Sequence, residues 1–216
     1  MSPATPDRTG FDAAMSGVPV IAIVRLPEAI AAAPLAVAVH RGGIRLIEVT
    51  LTTVGALDAV QTMREAGLDG LSVGVGSVRT AEDVHRSIDA GAEFLVTPTT
   101  NLDVLQAARQ AGLPAMCGGL TPTELETAHR AGSAYVKLFP ASALGPRYLR
   151  EVLAPLPELR IIPTGGVDVD TIAQFKAAGA VGVGVGSALV DPQTVLVGDW
   201  PLLERRAEAL VSAWHG

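Results

Sequence analysis

The chain has 216 residues, 49 % of them apolar and 18 % charged, with a formal net charge of −6. This composition suits one compact domain with a large buried interior and excludes a disordered chain, while the acidic balance offers no basic surface to nucleic acid or to an anionic membrane. The single cysteine, Cys117, excludes an internal disulfide and a cysteine-rich zinc site and suits a reducing compartment.

The first ten residues are polar and carry no apolar leader segment, and the longest uncharged run, residues 177–190, is interrupted by glycines and falls short of the roughly 20 residues of a membrane span. The expectation is a soluble, cytoplasmic protein. Residues 6–16 read as a short helix. From there helical stretches stop repeatedly at a small residue followed by glycine, at Gly43, Gly67, Gly91, Gly112, Gly132 and Gly179, a spacing that fits one strand plus one helix with two such units in the last gap. Each stop precedes a short β-rich run. The predicted strands are residues 19–25, 45–51, 71–76, 93–97, 114–117, 134–139, 160–164 and 180–186, and residues 200–214 form a last amphipathic helix. Eight strand–helix units without a linker predict a single-domain (β/α)8 barrel over residues 1–216, of α/β class, with the N-terminal helix as an extra cover over its floor.

In such a barrel chemistry collects at the C-terminal strand ends. These ends carry Arg25, Glu48 with Thr50, Gly74 to Ser77, Thr97 with Pro98 and Thr99, Cys117 to Gly119, Lys137 with Phe139, Thr164 to Gly166, and Gly186 with Ser187. Two residues break the apolar pattern of their strands. The chain has fourteen arginines and two lysines; Lys176 sits near a helix C-terminus, where a cation is favoured, whereas Lys137 lies inside Ala134 to Ala141. Burial disfavours an ammonium and leaves a nucleophilic amine suited to imine formation; the plain structural alternative is a lysine snorkelling from a strand end. Glu48, within Leu46 to Val49, alternates onto the barrel interior with Thr50; it can serve as a general acid and base, as an ion-pair partner of Arg25 or Lys137, or as both.

Gly165 and Gly166 after the seventh strand and Gly186 with Ser187 after the eighth fit a phosphate cradle, because glycine lets backbone N–H groups approach an anion. The alternating glycines from Gly182 to Gly186 lack the spacing of a dinucleotide site and read as close packing. His40, His85, His129 and His215 lie on helical stretches without paired ligand spacing, so no metal and no cofactor are expected.

Taken together, Glu48-Val49-Thr50, Gly74 to Val78, Thr97-Pro98, Lys137 to Ala141, Pro163 to Val167 and Gly186-Ser187 resemble the KDPG/KHG aldolases, class I pyruvate enzymes acting on 2-keto-3-deoxy-6-phosphogluconate and 2-keto-4-hydroxyglutarate. The resemblance, which spans about residues 19–190, implies a Schiff base on Lys137 and proton transfer by Glu48. It further implies a pocket lined by Thr50, Thr97, Pro98 and Phe139, with the far hydroxyls and phosphate held by Thr164, Gly165, Gly166, Gly186 and Ser187, and a homotrimer taking a small keto acid. Many relatives carry an arginine four residues after the glutamate to bind the pyruvate carboxylate; Thr52 stands there in this chain, and Arg25 is expected to take over. Thr99 stands where relatives often have glycine or histidine. Thr164 before the glycine pair resembles gluconate-type enzymes more than galactonate-type relatives. Remaining alternatives are a galactonate-type aldolase, a phosphate-binding barrel isomerase or synthase, and a non-catalytic scaffold.

Overall fold

A computed structural model describes residues 9–216 as alternating strands and helices around one ring of parallel strands. The strands are β1 (Val20–Val24), β2 (Leu46–Thr50), β3 (Ser72–Gly76), β4 (Leu95–Val96), β5 (Ala115–Gly119), β6 (Val136–Leu138), β7 (Ile161–Pro163) and β8 (Val183–Val185). Each pairs in parallel with its sequence neighbour from β1 to β7, and β8 returns to pair with β1. The ring is completed between β7 and β8 by a bridge of Thr164 with Gly184 and by a bond from the Val181 N–H to the Ile161 carbonyl (3.1 Å). The eight predicted strands and the (β/α)8 barrel are therefore present, although β4 has shrunk to two residues.

The outer helices are α2 (Ala32–Arg41), α3 (Ala56–Glu65), α4 (Ala81–Asp89), α5 (Leu102–Gln110), α6 (Pro122–Arg130), α7 (Gly145–Leu153) and α8 (Ile172–Ala177). All but α7 end where the repeat places them, at glycines such as Gly91 (φ +83°) and Gly179 (φ +103°), in the left-handed conformation that closes a helix at little cost only for glycine, whereas α7 stops at Ala154, directly before Pro155. The starts of α4, α5 and α6 are fixed by side chains: Thr80 and Thr121 form reciprocal caps with Asp83 and Glu124, and Asn101 accepts the Val104 N–H. Two elements were not foreseen, a 3-10 turn at Ala141–Ala143 and a short helix α9 (Pro192–Val197). The last helix, α10 (Trp200–His215), packs on α2, where a Cβ on Gly42 would lie 2.3 Å from the Ala207 Cβ. Among the described residues no helix is long and apolar enough to cross a membrane.

The ring separates two cores. Strand residues of one parity, among them Val24, Ile47, Val49, Val73 and Val136, pack outward under the helices. Residues of the other parity, Ile21, Ile23, Leu46, Phe94, Met116, Tyr135 and Ile162, fill the lower barrel. The N-terminal helix α1 (Thr9–Gly17) supplies the floor; of the helix expected over residues 6–16, residues 6–8 lie outside the described residues. Phe11 of α1 packs at a tilt against Phe94 (centroids 4.8 Å apart) and meets Tyr135 edge-on (5.5 Å), and each such buried side chain contributes about 1.5–3 kcal/mol relative to exposure. Phe94 fits because Gly74 has no Cβ; one built there would stand 2.5 Å from the ring. The Tyr135 O–H donates to Asp12 (3.2 Å) and accepts from Arg160 (2.7 Å), so the polar tip of this plug is satisfied.

Candidate active site

Inward-facing residues change character as each strand rises from this floor. On β2 the order is Leu46, Glu48, Thr50; on β6 and its flanks it is Tyr135, Lys137, Phe139; on β1 it is Ile21, Ile23 and then Arg25. The apolar layer thus ends at one height, and the next layer brings Glu48 and Lys137 together from opposite strands of the eight-stranded ring, with Lys137 Nζ 3.6 Å from Glu48 Oε1. That separation is an ion-pair distance and too long for a hydrogen bond. Both are buried, at 1 % exposure for Glu48 and 6 % for Lys137, and neither carboxyl oxygen of Glu48 has a hydrogen-bond partner. Buried polar atoms without partners are uncommon and point to a place where another molecule completes the set. The Glu48 carboxyl lies across β3 at Gly76, where a Cβ would come within 1.9 Å of Oε1. Lys137 Nζ also lies 5.2 Å from the centre of the Phe139 ring.

A cavity of about 550 Å³ opens above this pair, and its wall includes Arg25, Glu48, Thr50, Pro98, Lys137, Phe139, Thr164, Gly165, Gly166, Gly186 and Ser187. Eleven of the twelve residues singled out in the sequence are thus brought to one cavity. Thr97 is not: it is fully buried, and its hydroxyl donates to the Thr99 carbonyl (2.6 Å) and accepts from the Gly118 N–H (3.0 Å), so it shapes the backbone that carries Pro98. Arg25 is exposed at the mouth and has no ion-pair or hydrogen-bond partner among the described residues, so an Arg25–Glu48 salt bridge is absent there. Thr52 is exposed, points its hydroxyl at Thr50 (2.9 Å) and does not line the cavity. Lys176 lies elsewhere, its Nζ bonded to the Trp214 carbonyl at 2.5 Å.

Across the cavity, Gly165 (φ +91°) and Gly166 (φ +71°) run beside Phe139 and Ser142. The Thr164 hydroxyl is buried without a partner, over Gly184, whose missing Cβ leaves it room. The wall continues to Pro192, the first residue of α9. Asp191 caps that helix: the Thr194 hydroxyl and the Arg206 guanidinium of α10 hold its carboxyl well below the usual carboxylate range. Ser77, Asp168 and Ile23, which the sequence did not mark as site residues, also line the cavity. Ser77 ends β3 with φ +59°, a left-handed conformation that is uncommon outside glycine and that clusters at functional sites. Its place in the run Gly74 to Ser77, at the C-terminal end of β3, is the signal that the sequence offers for it.

A barrel that holds an amine and a carboxylate together at the bottom of its mouth belongs with enzymes that work on carbonyl compounds. The family model for KDPG and KHG aldolase matches residues 11–205. A 2-dehydro-3-deoxy-phosphogluconate aldolase of Treponema pallidum is 37 % identical over 184 residues, covering 85 % of this chain and 86 % of that one. A probable 2-dehydro-3-deoxy-6-phosphogalactonate aldolase of Rhizobium meliloti is 33 % identical over 197 residues, 91 % of each chain. Among solved structures, the KDPG aldolase of Legionella pneumophila, with pyruvate captured as a covalent carbinolamine, superposes with a TM-score of 0.82 at 28 % identity, over 92 % of this chain and 96 % of that one. The chain belongs to the KDPG and KHG aldolase family, lyases that break a carbon–carbon bond.

Proposed function

We propose that the protein cleaves 2-keto-3-deoxy-6-phosphogluconate reversibly to pyruvate and glyceraldehyde 3-phosphate through an imine on Lys137, and that it also accepts 4-hydroxy-2-oxoglutarate, yielding pyruvate and glyoxylate. The observation that carries this reading is the buried Lys137 amine 3.6 Å from the unpartnered carboxyl of Glu48. The amine attacks the C2 ketone, and loss of water leaves a protonated imine. Glu48 takes the proton of the C4 hydroxyl, the C3–C4 bond breaks, and its electrons flow into the imine to give an enamine as the aldehyde departs. Glu48 returns the proton to C3, and water releases pyruvate from Lys137.

Arg25 is assigned to the substrate carboxylate, since it is the arginine on the cavity wall, is free of partners among the described residues, and carries a fork that suits a carboxylate. Thr50, Pro98 and Phe139 enclose the pyruvyl part, with Thr97 setting the backbone of Pro98. Thr164 meets the far hydroxyls, and the phosphate sits on the backbone of Gly165, Gly166, Gly186 and Ser187. The galactonate-type substrate differs in configuration along the chain that Thr164 faces, and the Rhizobium relative keeps that substrate as the second reading. A homotrimer in the cytoplasm is the proposed setting, supported by the family resemblance and by Leu196 and Val197, which α9 leaves exposed.

Borohydride added to protein and pyruvate reduces an imine to a stable amine. The expected result is one pyruvate-derived adduct, on Lys137, that is lost in Lys137→Met. Glu48→Gln is expected to keep the adduct and to lose roughly 10²- to 10⁴-fold in aldol cleavage. A folded protein without an adduct would sink the mechanism and leave the isomerase and scaffold readings.

A further inference from the structure

Arg25 stands on the loop that leaves β1, and the two residues flanking it are tied by one hydroxyl to the turn that follows β2. Thr53 is buried at 3 % exposure, and its Oγ1 accepts the Leu26 N–H (3.2 Å) and donates to the Val24 carbonyl (3.2 Å). The side chains of Val24 and Leu26 are sunk in the outer core, so strand alternation leaves that of Arg25 on the opposite side, over the barrel mouth. Thr53 is fixed in turn, with its N–H bonded to the Thr50 carbonyl (2.9 Å) and its Oγ1 3.3 Å from Thr50 Oγ1, which lies 2.9 Å from Thr52 Oγ1. A single order of protons satisfies the row: Thr52 donates to Thr50, Thr50 to Thr53, and Thr53 to Val24, leaving the second lone pair of Thr53 for Leu26.

We propose that Thr53 is a positioning residue, whose hydroxyl holds the backbone on both sides of Arg25 so that the guanidinium meets a substrate carboxylate without first ordering its own loop. This rests on the assignment of Arg25 to that carboxylate. An arginine on an exposed loop loses chain and rotamer freedom when it binds, and fixing its Cα beforehand removes part of that cost. The hydroxyl touches neither the reacting atoms nor Lys137, so its loss is felt as weaker capture of the carboxylate and not as slower bond breaking.

The test is the half-saturating concentration of carbonyl compound for borohydride trapping on Lys137, with pyruvate and with acetone, which lacks the carboxylate, together with kcat and KM for cleavage. Arg25→Gln is expected to raise the pyruvate value by roughly tenfold or more. Thr53→Val is expected to raise it by roughly three- to tenfold. KM should rise with kcat nearly unchanged, the acetone value should not move, and Thr53→Ser should restore the parent behaviour. In an Arg25→Gln background Thr53→Val should add nothing. An Arg25→Gln shift without a Thr53→Val shift overturns the positioning role alone. A Thr53→Val shift that appears equally with acetone, or persists in the Arg25→Gln background, overturns it by showing a general structural effect. An unchanged pyruvate value in Arg25→Gln overturns the carboxylate assignment and the proposal with it, while trapping on Lys137 stands apart from both. If Thr53→Val does not fold, Thr53→Ala is read in the same way, and a Thr53→Ser protein that shifts pyruvate as Thr53→Ala does overturns the role of the hydroxyl.

Discussion

Glu48 occupies the volume that a side chain at position 76 would need. Its Oε1 lies 1.9 Å from the Cβ of an alanine built at Gly76, and the carboxyl must turn away if that methyl is added. Gly76→Ala is therefore expected to lower kcat by about tenfold or more, since displacement of a reacting group by an ångström costs on that scale or beyond. Overpacking should reduce stability by about 1–3 kcal/mol. Cleavage assays beside thermal melts check this; full activity in a stable Gly76→Ala enzyme would show that Glu48 need not occupy that place. Lys137 and Glu48 were legible in the sequence because a charge in a short apolar strand conflicts with its surroundings and only one of the strand's two faces can receive it. Thr97 was harder to read. A threonine at a strand end can aim its hydroxyl at a ligand or at a neighbouring backbone, and the choice made by Thr97 depends on the Gly118 N–H of the next strand, which no local pattern reveals.

At the scale of elements, α9 forms the edge of the cavity and depends on a single carboxylate. Asp191 receives the Thr194 N–H (3.0 Å) and hydroxyl at the helix start and binds Arg206 of α10. The folded-state acidity of Asp191 is strengthened relative to the unfolded chain, so its contribution is complete above the ordinary carboxylate range near pH 4 and fades only as pH falls below it toward the lower folded value. Asp191→Ala should cost about 1 kcal/mol, or about 2–4 °C of melting temperature for a chain of this size. Melts from pH 7 downward should show the gap between parent and variant constant to about pH 4 and narrowing below it; a gap that widens with acid would reverse the sign of this linkage. The Asp-Pro pair that opens α9 is a recognisable start signal, but six residues are too few for apolar periodicity to register, whereas the glycine stops of the longer helices repeat often enough to be seen. For the same reason β4 was read too long: the Glu93 and Thr97 N–H groups still reach the Val73 (2.9 Å) and Met116 (3.0 Å) carbonyls, but the regular strand holds only Leu95 and Val96.

For the whole molecule, closure of the ring joins the two ends of the chain. β8 pairs with β1 and α10 lies against α2 at Gly42, so the last unit must be made before the first is complete. The eightfold alternation that announces this architecture was visible in the sequence because six of its helices stop on the same punctuation; how copies associate was not, since an outer apolar residue looks alike whether it meets solvent or a neighbour. Val54, Leu144 and Val169 are exposed on loops at the site end, with Leu102 at the start of α5 and Leu196 and Val197 on α9. Light scattering is expected to give three times the 22.2 kDa chain mass; a mass of one chain at micromolar concentration would end the trimer reading.

The scarcity of lysine has a further consequence. Aldehydes condense with free amines, and the bond cleavage proposed for this protein releases a reactive aldehyde at its own mouth. Of the two side-chain amines in the sequence, one stands at the bottom of the cavity, and the other, Lys176, already donates to the Trp214 carbonyl and lies 5.5 Å from the centre of that ring. The remaining basic surface is guanidinium, a far poorer nucleophile toward carbonyls at neutral pH. Such a protein can stand in its own product with a single outer side-chain amine, that of Lys176, open to glycation.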